Sequence, residues 1–175
     1  MNTKDKIMQT AFMVFLDKGF KSTTYAELIS ATQVSKGAFY HYFKNKEELF
    51  TEVIDRYFLS FFNQVNWEEL EQLELEELES RMQDFYLHFV NQIQALTNKG
   101  LSRYFILFFE ALELHPTFRE EAQRFYSQMK GLLERNATHG KSSEAMDLIA
   151  RYEGYLFWMA VFPEVKMDEL LKRDN

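Results

Sequence analysis

Residues 19–50 read "GFKSTTYAELISATQVSKGAFYHYFKNKEELF", and this stretch decides the fold. Thr24 and Glu27 form a capping-box pattern, which predicts that a helix begins there. The tetrapeptide TQVS predicts a short turn, and Ser35 is placed to cap a further helix that ends near Tyr42. Two short helices joined by a tight turn are typical of a helix-turn-helix, whose second helix enters the DNA major groove.

The second of these helices carries a glycine near its start. Gly37 costs ~0.5–1 kcal/mol in a helix relative to alanine, and this cost is acceptable where backbone must lie close against DNA. The tyrosine hydroxyls of this helix can donate to phosphate oxygens, and Lys46 adds a cation beside the N–H groups that begin the next helix. The polar side chains placed to reach base edges or phosphates are Gln33, Ser35, Lys36 and His41.

Each of these residues also has an ordinary structural explanation. Tyr40 and Tyr42 are alternatively core aromatic residues with their hydroxyls at the surface, and Phe39 and Phe43 are expected in the core. Lysines by themselves are usually solvated. The motif context favours DNA contact for Tyr42 and for the lysines, whereas the two interpretations of Tyr40 are close to even.

The charge of the chain is unevenly distributed. The formal net charge is −7, but residues 1–46 hold seven lysines against three acidic residues. The cationic character is therefore confined to the first quarter of an otherwise acidic chain. Because electrostatic fields are screened within ~8–10 Å, a cationic head on an acidic body can still meet phosphate.

Helical periodicity continues through the rest of the chain, and no segment alternates apolar and polar residues as a strand does. We predict an all-α protein with a linker at 63–67 and a loop at 136–143. A capping box at Thr117 and Glu120 predicts one further helix start. The predicted helices span residues 3–18, 24–31, 35–42, 45–62, 68–96, 102–114, 117–136 and 144–162.

Composition narrows the class of protein. The 175 residues include 46% hydrophobic residues and no cysteine, so a substantial core is available and disulfide or thiol chemistry is excluded. The N-terminus lacks a signal-peptide pattern, and no apolar run approaches the ~20 residues of a membrane span, which together predict a cytoplasmic protein. The histidines lack metal-ligand spacing and no nucleophile elbow or glycine-rich loop occurs, so we predict neither an enzyme nor a cofactor.

The stretch at 19–50 resembles the DNA-binding domain of the TetR family of transcriptional regulators. The family pattern is Gly, an aromatic, two residues and Thr-Thr, then a helix, then Val-Ser-x-Gly-x-(Leu/Phe)-Tyr-x-(Tyr/His)-Phe-x-x-Lys-x-x-Leu. The likeness covers about the first 55 residues, and the remainder matches only in being helical. The matching positions are Gly19, Phe20, Thr23, Thr24, Val34, Ser35, Gly37, Phe39, Tyr40, Tyr42, Phe43, Lys46 and Leu49.

One departure lies in the turn, where the family often has Ala-Gly and this chain has Thr32-Gln33. Gln33 must tolerate the turn conformation, and its side chain is long enough to reach a base. With the resemblance added, the predicted DNA-binding residues are Thr23, Thr24, Gln33, Ser35, Lys36, Gly37, Tyr40, His41, Tyr42 and Lys46.

The resemblance implies a homodimer whose two recognition helices face successive major grooves of double-stranded operator DNA. It further implies a pseudo-palindromic operator, usually repression, and release by a small molecule that binds the C-terminal domain. We expect a helix-turn-helix domain over 1–46, joined through helix 46–62 to a helical ligand-binding and dimerisation domain over 47–175. The aromatic richness of the latter suggests a largely apolar effector.

Two sets of residues in the C-terminal domain follow as candidates. For the ligand pocket they are Phe85, His88, Phe89, Tyr104, Phe108 and Phe125; aromatic residues at helical spacing are alternatively core. Two long helices carry apolar stripes at alternating spacings of three and four, which fit either a four-helix bundle between protomers or the protomer core. The candidate dimer-interface residues are Phe118, Phe125, Met129, Leu132, Leu148, Tyr152, Tyr155 and Met159.

A second hypothesis comes from another class of protein. In it the chain is a helical interaction module, or a ligand-independent regulator, that acts through a protein partner. The dependence of DNA affinity on salt discriminates the two, because an operator-binding protein loses affinity steeply as salt rises.

Overall fold

The computed structural model of the protein describes residues 2–97, 99–136 and 142–172. Within these ranges the regular elements are all helices, so the all-α prediction is confirmed. The helices are α1 (Thr3–Lys18), α2 (Tyr25–Thr32), α3 (Lys36–Tyr42), α4 (Lys46–Tyr57), α5 (Leu59–Asn63), α6 (Trp67–Leu70), α7 (Leu75–Leu96), α8 (Leu101–Leu114), α9 (Pro116–Asn136), α10 (Ser142–Val161) and α11 (Met167–Leu171). None of these described helices combines the length and the apolar character needed to cross a membrane.

The ends of the first helices follow their capping residues. Gly19 ends α1 with φ 83° and ψ 160°, a backbone conformation that is essentially restricted to glycine. Thr24 caps α2, and the reciprocal bonds of the predicted capping box are both present. Ser35 caps α3 and Asn45 caps α4, each through its side-chain oxygen. The sequence therefore predicted this part of the fold to within a residue.

Other helix boundaries differ from the prediction, and the helix expected over 68–96 is divided into α6 and α7. The helix expected over 45–62 ends at Tyr57, and a short α5 follows Phe58. The helix expected from Thr117 begins at Pro116, where the missing N–H of proline costs nothing. The loop predicted after residue 136 falls mostly outside the described residues.

The start of α9 is instead stabilised by a histidine. His115 is buried, and its Nδ1 accepts a hydrogen bond of 3.3 Å from the backbone N–H of Phe118. Since Nδ1 is an acceptor, Nε2 carries the proton and donates to Asp55 Oδ1 at 2.9 Å. One imidazole ring thus caps α9 and ties it to α4.

The chain divides into two compact units. The first comprises 1–64 and 103–121, and the second comprises 65–102 and 122–175. The predicted boundary after residue 46 falls inside the first unit, because α4, α5 and part of α8 pack with the helix-turn-helix rather than apart from it. Aromatic contacts hold this unit together: the ring of Phe58 stacks on Tyr104 at 5.0 Å and meets Phe118 edge-on at 5.9 Å.

The second unit contains a polar cluster within its aromatic core. The Glu153 Oε1 atom accepts hydrogen bonds from the hydroxyls of Tyr86, at 2.8 Å, and Tyr126, at 2.9 Å. Burial raises the pKa of Glu153. The Tyr152 ring stacks on Tyr86 with centroids 4.8 Å apart. The two hydroxyl donors satisfy a carboxyl group that would otherwise be costly to bury.

Candidate nucleic-acid interface

The turn between α2 and α3 fixes how the second helix is presented. Gln33 has φ 55° and ψ 26°, and no other non-glycine residue among those described has positive φ. The sequence argument, that a residue replacing glycine here must tolerate the turn conformation, is therefore confirmed. The Gln33 side chain is exposed beside the N-terminus of α3.

Aromatic residues hold α3 against α2. Phe39 and Phe43 are fully buried, as predicted, and the Tyr25 ring meets Phe39 edge-on at 5.2 Å. The Tyr25 hydroxyl donates to the backbone oxygen of Phe43. The Tyr40 ring lies 5.3 Å from Tyr25 but remains 44% exposed. The helix is therefore anchored by one face while its other face is open to solvent.

The open face of α3 carries most of the residues that sequence analysis selected. Ser35, Lys36, Gly37 and His41 are exposed, and Tyr42 is half-buried beside the His41 ring. A Cβ atom added to Gly37 would meet nothing within 4 Å. The space around this position within the described fold therefore does not require glycine.

Thr23 is not available for DNA contact. Its side chain is 1% exposed, and its hydroxyl donates to the backbone oxygen of Gly19 at 2.7 Å. The structure thus corrects the prediction: this threonine closes the turn after α1. Its neighbour Thr24 is exposed, but its hydroxyl is already engaged in the capping box with Glu27.

That capping box is reinforced by charge. Hydrogen bonds from Lys18, and then from Thr24, lower the pKa of Glu27 to about 2. Because this folded-state pKa lies below the ordinary value of 4.5, the bonded carboxylate stabilises the fold above about pH 4.5. The stabilisation is lost as pH falls through about 2.

Lys46 also has a different role from the one predicted. Its ammonium group donates to the backbone oxygens of Phe20, at 2.9 Å, and Thr23, at 2.8 Å. It also lies 4.1 Å from the centroid of the Phe20 ring. Two of its three hydrogens are thus committed to the turn between α1 and α2, so that a structural role replaces a free phosphate-binding one.

The remaining lysines of the first 46 residues fall into two groups, those that form ion pairs and those that do not. Lys4 pairs with Glu52, Lys18 with Glu27 and Lys21 with Glu113, at 2.5–2.7 Å. Apart from Lys46, which bonds backbone oxygens, the lysines of this segment whose ammonium groups have no acidic partner within the described residues are Lys6, Lys36 and Lys44. Two of these three flank α3, so the unpaired positive charge of the domain is concentrated at the predicted recognition helix.

Lys44 was missing from the sequence-based set of DNA-binding residues. It is exposed in the short connection between α3 and α4, next to the half-buried Tyr42. Its position outside the family pattern gave no motif signal. Which lysine ammonium groups pair with acidic side chains depends on the fold, so the sequence alone does not single out Lys44.

The six residues predicted for a ligand pocket do not gather in one described cavity. Tyr104 and Phe108 belong to the first unit, and the other four belong to the second. His88 is exposed and contacts Gln92. Two described cavities of about 280 and 320 Å³ lie in the second unit, and neither is lined by any of the six. The larger has a mixed lining that includes Trp67, Arg124 and Leu132.

The apolar stripes predicted for the dimer interface are mostly inside the protomer. All of the eight candidates except the half-buried Tyr155 are buried, which corresponds to the core alternative for these helices. A different face of α10 is exposed and apolar. On it Phe157 is 64% and Trp158 49% exposed, next to Val161 and Phe162.

Comparison with known proteins places the helix-turn-helix in a family. Residues 7–53 match the model described as "Bacterial regulatory proteins, tetR family". The regulator QacR of Staphylococcus aureus is 33% identical over 88 residues, which are 50% of this chain and 44% of QacR. The match thus spans less than half of that relative's length.

Solved structures extend the likeness of fold along the chain. A transcriptional regulator from Aquifex aeolicus superposes with a TM-score of 0.69 and 21% identity, covering 98% of this chain and 95% of that one. AibR, crystallised with isovaleryl coenzyme A and operator DNA, gives a TM-score of 0.70 at 16% identity, covering 97% and 94%. Residues 7–53 of this chain thus match the tetR family of bacterial regulatory proteins by sequence, and its fold is similar to those of solved regulators over nearly its whole length.

Proposed function

We propose that this protein is a transcriptional repressor that binds a pseudo-palindromic operator as a homodimer. The observation that carries the proposal is the exposed face of α3 with its flanking residues, where a sterically unnecessary Gly37 lies in the chain between Lys36 and Lys44, whose ammonium groups have no acidic partner among the described residues. Bare backbone on a short helix, with one cation at its start and another just after its end, suits a surface that approaches DNA closely.

The residues on this face divide into two roles. Gln33, Lys36 and His41 are exposed around α3 and are placed to read base edges in the major groove. Tyr42 and Lys44 follow at its C-terminal end and are placed to contact phosphates, which fix the register of the helix. Substitutions in the first group should change the preferred sequence, whereas those in the second should weaken all sequences alike.

The salt dependence of binding tests the phosphate role. We expect Lys44→Ala to lower the steepness of log K against log salt by about 0.9, the contribution of one neutralised phosphate. Fluorescence anisotropy with a duplex that the wild-type protein enriches from a random library measures this slope. The matched control is Lys18→Ala, which removes the same charge from a lysine that is already paired with Glu27. Equal slopes for wild type and Lys44→Ala would exclude the contact.

The exposed apolar face of α10 is the surface that we propose for dimerisation. Phe157, Trp158 and Val161 recur on one side of the helix, and the exposed Gly154 one turn earlier has nothing within 4 Å of a Cβ position. A small residue beside large ones lets two copies of this helix approach across a two-fold axis. An isolated protomer would leave these large side chains in water.

We expect Trp158→Glu to convert a dimer into monomers, because two carboxylates would meet at an apolar two-fold contact. Size-exclusion chromatography with light scattering measures the mass. The control is Phe109→Glu, an equally drastic change at a side chain that is 61% exposed on α8. The proposal for α10 fails when Trp158→Glu keeps the dimer mass, or when both variants lose it together.

We further propose that a small effector binds the second unit and releases the protein from its operator. The support is the aromatic richness of this unit and a cavity of about 320 Å³, near the lower limit for small-molecule sites. The structural neighbour AibR was crystallised with isovaleryl coenzyme A and operator DNA, which supports the proposal. The mixed cavity lining suits a ligand with both apolar and charged parts better than a purely apolar one.

Regulation through a protein partner remains the second candidate, and a release assay discriminates the two. Small molecules that displace the protein from its operator at concentrations that leave it folded support the effector. Failure of a broad library, combined with release by a co-purifying protein, supports the partner. Either mode requires a location where DNA is present, so we propose that the protein is cytoplasmic and has no catalytic role.

A further inference from the structure

The turn between α1 and α2 is held by side chains from outside the helix-turn-helix. The Glu110 carboxylate on α8 accepts two backbone hydrogen bonds, from Phe20 N to Oε2 at 2.6 Å and from Lys21 N to Oε1 at 3.0 Å. These two N–H groups follow directly on the end of α1. One carboxylate therefore satisfies two successive donors that no helix could pair.

The same turn receives the opposite charge from another helix. The Lys46 ammonium group on α4 donates hydrogen bonds to the backbone oxygens of Phe20 and Thr23. A carboxylate on the N–H groups and an ammonium on the carbonyl groups leave the segment little freedom. The next residue, Thr24, caps α2, so this clamp determines where the helix-turn-helix begins.

The backbone at Gly19 fits this arrangement. A Cβ atom there would lie 3.1 Å from a Glu110 carboxylate oxygen, closer than most real contacts. The absence of a side chain thus gives the carboxylate its access to the turn. Within the described part of the chain, Glu113, one turn further along α8, pairs with the exposed end of Lys21. Of these two described acidic residues on α8, Glu110 accepts hydrogen bonds from backbone N–H groups and Glu113 pairs with a side chain.

We propose that Glu110 is a positioning residue for DNA binding, which holds α2 and α3 in the orientation that fits the operator. The inference rests on the proposed DNA-binding function. Glu110 makes the orientation of the helix-turn-helix depend on α8, a helix that lies outside it. When the bond is broken, the turn samples other positions, and operator affinity falls in proportion to the population that still fits.

An electrostatic effect of Glu110 and a positioning role predict opposite changes in operator affinity when its carboxylate is removed. Removing an acidic group near a DNA-binding surface should by itself strengthen binding to phosphate. Loss of two charge-assisted hydrogen bonds should weaken operator binding roughly tenfold to a hundredfold if they hold the competent orientation. Weaker binding after loss of a negative charge is therefore specific for positioning.

The experiment compares the full-length variants Glu110→Ala, Glu110→Gln and Glu113→Gln at a temperature where thermal melts show all of them folded. Affinity is measured for the duplex that the wild-type protein enriches from a random library. We expect Glu110→Ala to bind roughly tenfold or more weakly. Glu110→Gln, which keeps one acceptor, should be intermediate, and Glu113→Gln should bind as wild type or slightly more tightly.

Amide hydrogen exchange provides a readout that does not involve DNA. The amides of Phe20 and Lys21 should exchange faster in Glu110→Gln than in wild type, and Glu113→Gln should not change them. Operator binding by Glu110→Gln and Glu110→Ala as tight as that of Glu113→Gln overturns the positioning role alone. A wild-type protein that enriches no duplex overturns the proposed function as well, so that the two failures are distinguishable.

Discussion

Lys46→Met should lower the free energy of unfolding by about 2–4 kcal/mol, because two charge-assisted hydrogen bonds to backbone oxygens are lost. The Phe20 and Thr23 oxygens that it holds are part-buried, so water replaces the ammonium only incompletely. The contact with the Phe20 ring at 4.1 Å is lost with them. Chemical denaturation of the full-length protein measures the change.

The matched control for Lys46→Met is Lys44→Met, which removes the same charge two residues away. Lys44 is exposed, its ammonium group has no acidic partner among the described residues, and the bond from its backbone N–H to Glu48 does not depend on the side chain, so its replacement should leave the unfolding free energy within about 0.5 kcal/mol of wild type. Lys46 would be a phosphate-binding residue after all if both variants were as stable as wild type and both lowered the salt slope by about 0.9.

The difference between these two lysines shows what the sequence could and could not predict. The family pattern contains Lys46 at a fixed spacing, and spacing alone cannot distinguish a lysine that binds phosphate from one that holds backbone. Its partners, at Phe20 and Thr23, lie more than 20 residues earlier in the chain. Only the packing of α1 against α4 brings them together.

The helix-turn-helix was predicted well because the signals that define it, unlike the contacts of Lys46, are local in the sequence. Capping boxes, N-caps and the stop at Gly19 act over three or four residues, so the sequence contains them completely. The contacts of Glu110 and His115 join residues about 60 to 90 positions apart and left no pattern to find. The apolar stripes of α9 and α10 are evident in the sequence, but periodicity does not indicate whether they pack against a partner or within the protomer.

Gly37→Ala should change stability and DNA binding in opposite directions. The position is helical, and a Cβ atom would meet nothing within 4 Å, so alanine should stabilise the fold by about 0.5–1 kcal/mol. If α3 lies in the major groove with its backbone against DNA, the added methyl group overpacks the interface. A cost of about 1–3 kcal/mol then weakens operator binding roughly five- to 150-fold.

The opposite signs make Gly37→Ala a sharper test than the loss of a charge, because a damaged fold cannot explain weaker binding by a more stable protein. Thermal melting and anisotropy on the enriched duplex measure the two effects. Ala38→Gly is the companion variant at the next position: it should destabilise α3 through helix propensity without adding an atom. A Gly37→Ala protein that is more stable and binds the duplex as tightly as wild type would show that DNA does not approach this part of α3. The open face of the helix would then have to serve a different partner.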